Sequence, residues 1–211
     1  MARMSKSAVW IFVSVAVIAV AALVYAFLNL ETAGGMPGGA VPDPAWKAYI
    51  DEGGGYTLFY PTAYQIDTSY SYEGMGHGKD IPGVSFRVPE SLTRGTNLSR
   101  DSYLSIERLA GSDECSALRF TAASTTESTL TEAGKRYSVV RTIEGAAGNV
   151  YEEQVYALPG SSPCTAVRYV VYSTNIRNYD AGEVIEFDRG ALLSAFDTMR
   201  QSLNLNLTTE E

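Results

Sequence analysis

Histidine and cysteine are nearly absent. One histidine, His77, and two cysteines, Cys115 and Cys164, stand among 211 residues. Zinc or copper centres draw on several His or Cys ligands, so this composition excludes them, and the expected metal complement is none. Positive charge is also scarce. The chain carries 16 Lys and Arg against 24 Asp and Glu. All the acidic residues lie after residue 30 and two of the basic ones before it, leaving 14 basic against 24 acidic, a net of −10, for the rest of the chain. Such a surface repels phosphate backbones, so nucleic acid is excluded as a partner. No internal repeat is present.

One long hydrophobic run is present. Residues 8–28 read AVWIFVSVAVIAVAALVYAFL with no charge inside. As a helix the run covers ~31 Å, enough to cross the hydrocarbon core of a bilayer. Arg3 and Lys6 precede it, and Glu31 is the first charge after it. The positive-inside rule keeps residues 1–7 in the cytoplasm and sends the remainder across. A cleaved secretory signal competes with this reading, but its apolar core is usually about 7–15 residues. Bulky Val24, Tyr25, Phe27 and Leu28 also crowd the small-residue cut sites. The expectation is a single-pass anchor in a bacterial inner membrane, with the domain periplasmic or extracellular.

Residues 29–45 form a Gly- and Pro-rich linker with no apolar face to bury. Residues 46–205 suit one domain with its own core, and 206–211 form a tail expected to be disordered. In an oxidising compartment an even cysteine count points to a Cys115–Cys164 disulfide. On the chain-entropy account such a link stabilises by about 4 kcal/mol.

The domain reads as α+β, an antiparallel sheet packed with helices. Residues 45–50 are expected to begin a short helix covering a sheet edge. Strands are expected at 55–60, 65–71, 84–88 and 102–110, where aromatic and β-branched residues alternate with polar ones. Residues 111–120 fit a short helix capped by Ser112 or Asp113, and 121–131 read as loop. Strands at 135–144, 149–157 and 164–173 are joined too closely for parallel crossovers, so they form an antiparallel meander. Asp188 caps a last helix to about residue 202. Its Leu192, Phe196, Met199 and Leu203 share one face, while Arg189, Asp197 and Arg200 are expected to stay wet.

Chemistry-bearing patterns are few. His77 sits between Gly76 and Gly78, in a loop with Glu73, Lys79 and Asp80. As a general base it needs a nucleophile and an orienting carboxylate, for which Ser69, Ser71 and Asp80 are the nearby candidates. No Gly-x-Ser-x-Gly elbow accompanies them, and flanking glycines hold a ring poorly. Asp180, Glu183, Glu186 and Asp188 lack the alternating spacing and glycine of a calcium loop. Glycines 74, 76 and 78 open no helix with Lys-Ser or Lys-Thr, so they are not a phosphate cradle. No catalytic residue and no cofactor is expected. The 14 tyrosines are the richer signal. Tyr64, Tyr70 and Tyr72, together with the neighbouring His77, form the candidate ligand-binding patch, since tyrosine is favoured at interfaces.

At residues 55–61, GYTLFYP resembles the opening of PsbP-like domains, which begin with a Gly-aromatic-x-apolar-x-Tyr-Pro strand. Those domains also finish with an amphipathic helix leading to a short apolar end, as residues 196–205 do here. Residues 164–179, CTAVRYVVYSTNIRNY, resemble bacterial membrane-anchored envelope proteins. The resemblance implies an α/β/α sandwich and a largely non-catalytic accessory family. The expected function is therefore a non-enzymatic, membrane-anchored binding or accessory domain whose partner is an envelope protein complex or a wall glycan. The alternatives are an envelope hydrolase using His77, or a structural subunit held in a membrane complex by its apolar helix.

Overall fold

A computed structural model describes residues 45–51, 53, 55–111 and 114–205. The expected membrane span, the linker up to residue 44, the caps Ser112 and Asp113 and the tail lie outside the described residues. Two antiparallel sheets make the body. The smaller orders β1 (Trp46–Ile50), β2 (Tyr56–Pro61) and β11 (Asn204–Leu205) as β1-β2-β11. The larger contains β3 (Gln65–Asp67), β4 (Ser71–Tyr72), β5 (Ile81–Arg87), β6 (Tyr103–Leu109), β7 (Ser128–Glu132), β8 (Lys135–Ala146), β9 (Asn149–Ala157) and β10 (Cys164–Thr174). Its order is β3-β5-β6-β10-β9-β8-β7, with β4 added on β5.

The predicted meander is present, with β8, β9 and β10 consecutive neighbours in antiparallel register. Ala147 and Gly148, at φ 51° and 81°, turn β8 into β9. Ala133 and Gly134, at φ 49° and 74°, turn β7 into β8. Left-handed pairs of this kind match the right-handed twist of a hairpin, and glycine occupies the second place without steric cost.

Four local expectations change, the first being that the strand expected over 65–71 breaks into β3 and β4 at a turn where Ser69 N bonds Asp67 Oδ1. Residues 46–50 form strand β1, not a helix. So short a helix has little stability of its own, whereas pairing with β2 satisfies the backbone groups that face it and sets Tyr49 opposite the buried Leu58. The polar stretch 121–131 ends in an edge strand, because β8 offers an open side on which Leu130 pairs with Tyr137. The helix expected at 111–120 contracts to a 3-10 turn at Ala117–Phe120, which Ser116 caps through Leu118 N at 3.2 Å.

Helix α1 is the short Glu90–Thr93, and α2 runs Arg189–Ser202. Asp188 caps α2 by accepting from Ala191 N at 2.8 Å. The expected stripe Leu192, Phe196, Met199 and Leu203 is buried. It packs with Phe86, Leu104, Ile106, Val139, Val167 and Tyr169 on what we call the inner face of the large sheet. A second core on the outer face gathers Ile81, Ala117, Phe120, Val140, Val155 and Ala166 around the Cys115–Cys164 bond. Among the described residues that outer face is covered by the 3-10 turn, β4 and their loops, where the resemblance implies helices on both sides.

Arg200 departs from the wet position expected of it. It is 1% exposed. Its guanidinium lies between the rings of Tyr137 and Tyr156, 4.7 and 4.5 Å from their centroids, and bonds Tyr169 Oη at 2.8 Å and Asp197 at 3.0 Å. An arginine near the end of a helix reaches far enough to replace water with aromatic faces and carboxylates.

Phe196 has no exposed surface. Phe196→Ala is expected to cost about 3–5 kcal/mol in urea unfolding, whereas Ile143→Ala stays within about 0.5 kcal/mol. Ile143 is 68% exposed, so equal costs for the two variants contradict this assignment of the core.

Candidate functional site

Strand alternation builds the site. Along β10, Val167, Tyr169 and Val171 face α2, which turns Arg168, Val170 and Tyr172 to the outer face. Register then fixes their neighbours. Arg168 lies opposite Ser105 and Val155, Val170 opposite Tyr103 and Glu153, and Tyr172 opposite Tyr151. Strand β4 folds over this surface by pairing Ser71 with Pro82 and Tyr72 with Ile81. Gly83 sits where a Cβ would stand 2.3 Å from the Ile106 carbonyl oxygen, so only glycine fits at that crossing.

Arg168 is the centre. Its side chain is fully buried. Nε and Nη2 donate to the two Glu107 oxygens at 2.8 and 2.9 Å, a bidentate pair. Nη1 donates to Glu153 Oε2 at 3.0 Å, and Nη2 also reaches the Phe120 carbonyl at 2.5 Å. The Tyr72 ring stacks on the guanidinium, 3.4 Å from its carbon to the ring centroid. The tyrosine hydroxyls and a serine complete the carboxylates. Tyr70 donates to Glu107 Oε1 at 3.0 Å and Ser105 to the same oxygen at 2.8 Å. Tyr72 donates to Glu153 Oε2 at 3.0 Å, and Tyr172 to Oε1 at 3.5 Å. Only arginine offers this planar fork together with a stacking face.

Burial opposes the charge on Arg168, yet Glu107, Tyr72 and Glu153 outweigh it and hold the group above its ordinary value. Burial raises the hydroxyls of Tyr70, Tyr72 and Tyr172, and the nearby carboxylates add to the effect. Burial likewise pushes Tyr103 up to about 12. The hydroxyls therefore remain protonated donors at neutral pH. The arrangement presents half-exposed rings above buried, paired charges.

The predicted patch divides. Tyr70 and Tyr72 come together here, both half-buried. Tyr64 is 7% exposed and packs against Phe196 at 6.3 Å between ring centroids, in the inner core. His77 is exposed in a turn between Gly76 and Gly78, at φ 95° and 73°. Ser69 is engaged locally, its N and Oγ bonding Asp67 Oδ1 at 2.9 and 2.6 Å. Those two bonds lower the Asp67 carboxyl below its ordinary value. The patch expected from the sequence missed Arg168, Glu107, Glu153, Tyr103, Tyr151 and Tyr172. For Arg168 the signal was a single charge set inside the apolar run AVRYVV, with Glu107 in SIERL and Glu153 in YEEQV offering the opposite sign on other strands.

A separate hollow of about 300 Å³ opens beside the disulfide, lined by Glu114, Ser116, Glu127, Arg136 and Ser138 among others. Ser138 Oγ bonds Glu127 and accepts from Ala117 N, so these polar groups hold the 3-10 turn in place. We place the candidate site at the tyrosine face, where the rings and charges converge. Among the described residues no group of three His, Cys, Asp or Glu side chains is disposed to hold a metal ion.

No protein-family model matches this chain, and no curated protein matches it. Among solved structures it is similar to cyanobacterial PsbP (CyanoP) from Synechocystis sp. PCC 6803, with 18% identity and a TM-score of 0.45 over 82% of this chain and 98% of that one. It is also similar to a protein from Bacteroides thetaiotaomicron VPI-5482, with 11% identity and a TM-score of 0.45 over 78% of this chain and 50% of that one. The likeness to PsbP is weak and concerns shape alone.

A tyrosine whose folded pKa is raised contributes full stability below its unfolded value and loses it as pH climbs toward the folded one. For Tyr103 that window runs from 10.0 to about 12. Stability is expected to fall across it, with the buried tyrosines ionising only as the protein unfolds. Tyrosinate absorbance followed together with circular dichroism checks this. All 14 tyrosines ionising near pH 10 in a still-folded protein contradicts the geometry.

Proposed function

We propose that this chain is a non-enzymatic binding domain of the bacterial cell envelope, carried on a single N-terminal transmembrane helix. The observation that carries the reading is the tyrosine face. Its rings are half-exposed, while its buried charges are committed to one another through Arg168. A surface so fixed binds without reorganising, which lowers the ordering cost of association.

The rest of the reading follows from sequence chemistry. The apolar run 8–28 supplies the span, and the basic residues before it orient the domain outward. The Cys115–Cys164 bond, with 5.1 Å between the two Cα atoms, suits an oxidising compartment. The net charge of −10 disfavours nucleic acid. The partner is an envelope protein complex or a wall glycan, met within reach of the linker 29–45.

Fractionation tests this. The full chain is expected in the inner-membrane fraction with both thiols blocked to alkylation, and deletion of residues 1–45 is expected to release it from the membrane while its partner still co-purifies. Recovery of the full chain from the cytosolic extract with two free thiols overturns the proposal. Loss of the partner on deletion assigns binding to the apolar helix instead of the domain.

A further inference from the structure

The tyrosine face carries more negative charge than its own arginine neutralises. Glu107 and Glu153 share one guanidinium, that of Arg168. The Glu153 side chain remains 23% exposed, and its Oε1 receives only the long bond from Tyr172. Glu144 adds a further carboxylate. It lies opposite Tyr151 in the β8–β9 ladder, on the same side as Glu153, and is exposed. Two arginines of the large sheet are committed elsewhere. Arg141 alternates to the inner face, where it bonds Gln154 and Tyr156, and Arg87 at the far edge pairs with Asp101 at 3.2 Å.

The aromatic setting suits a cation. Tyr72 already stacks on a guanidinium within the site. Tyr151 and Tyr172 lie beside the surplus carboxylates, edge to face with 5.0 Å between ring centroids, and both are half-exposed. Electron-rich ring faces next to carboxylates that are only partly neutralised bind arginine and lysine side chains, and a neutral sugar leaves that charge unanswered.

Spacing selects the kind of cation carrier. Glu144 and Glu153 are diagonal neighbours across the ladder, about 7–8 Å apart. An extended peptide with basic residues at alternate positions sets its cations about 6.5 Å apart on one side. We propose that the face formed by Tyr151, Tyr172, Glu144 and Glu153 receives an extended basic segment of a protein partner, with alternate arginine or lysine side chains on the two carboxylates. This deepens the binding-domain reading and rests on it.

Calorimetric titration of the full chain in detergent provides the test, with an eight-residue peptide of alternating arginine and threonine as the probe. Binding is expected to weaken about threefold in Glu144→Gln and about tenfold in Glu153→Gln, while Glu186→Gln, an exposed acid outside this face, leaves it unchanged. Should Glu153→Gln unfold, Tyr151→Ala with an unchanged melting temperature is expected to weaken binding in its place. Equal weakening by Glu186→Gln overturns the inference, because binding then follows net charge alone. Spermine or chitohexaose binding as tightly as the peptide also overturns it. Failure of the peptide to bind while the cellular partner still co-purifies with the domain overturns this inference and leaves the binding-domain proposal standing.

Discussion

A guanidinium without exposed surface has to be answered on every side, and the outer half of this domain is arranged around that demand. Arg168 enters from β10. Its answers come from Glu107 on β6, Glu153 on β9, the Phe120 carbonyl at the end of the 3-10 turn, and the ring of Tyr72 on β4. Four separate parts of the chain must reach their places before the charge is satisfied. Removing any one leaves a buried group unpaired, which costs more than an ordinary hydrogen bond contributes. The pair adds little net stability over an apolar core, but it tolerates only one register of β6, β10 and β9.

The inner face repeats the device with a second arginine. Arg200 lies between the Tyr137 and Tyr156 rings and bonds Tyr169, Asp197 and, at 2.5 Å, Glu132 on the edge strand β7. The bond from Arg200 lowers the Glu132 carboxyl below its ordinary value. Lys135 reaches the carbonyls of Gln201 and Leu203 at 2.6 and 2.5 Å, closing the C-terminal end of α2. The edge strand and the helix are thereby tied to one centre. The sheet is gripped from both sides by arginines that sit on tyrosine rings, so many of the tyrosines act as supports for charge as well as core filling.

The elements that could be read from residue order are those fixed by local pattern. The meander followed from three alternating runs joined by short turns, and α2 followed from Asp188 and a stripe at steps of four, three and four. The Cys115–Cys164 link followed from an even count read together with the expected export. What escaped is non-local. Strand β1 depends on β2 being there to pair with it, and β7 on the open side of β8. Two of the three expected tyrosines were legible, since Tyr70 and Tyr72 lie two residues apart, just before and within the strand that folds over the face. Tyr64 shares their neighbourhood in sequence but faces the other side of the sheet, against α2. Glu107, Glu153 and Arg168 are far apart in the chain, and only the β6–β10–β9 register brings them to one face.

The most direct test of this account is a double-mutant cycle on Arg168→Met and Glu107→Gln, read by urea unfolding. Arg168→Met alone is expected to cost about 3–5 kcal/mol, because it strands two carboxylates. The double variant is expected to fall short of the summed single costs by about 2 kcal/mol or more. Costs that simply add, or an Arg168→Met variant as stable as the parent, would show that the outer face is not organised around this guanidinium.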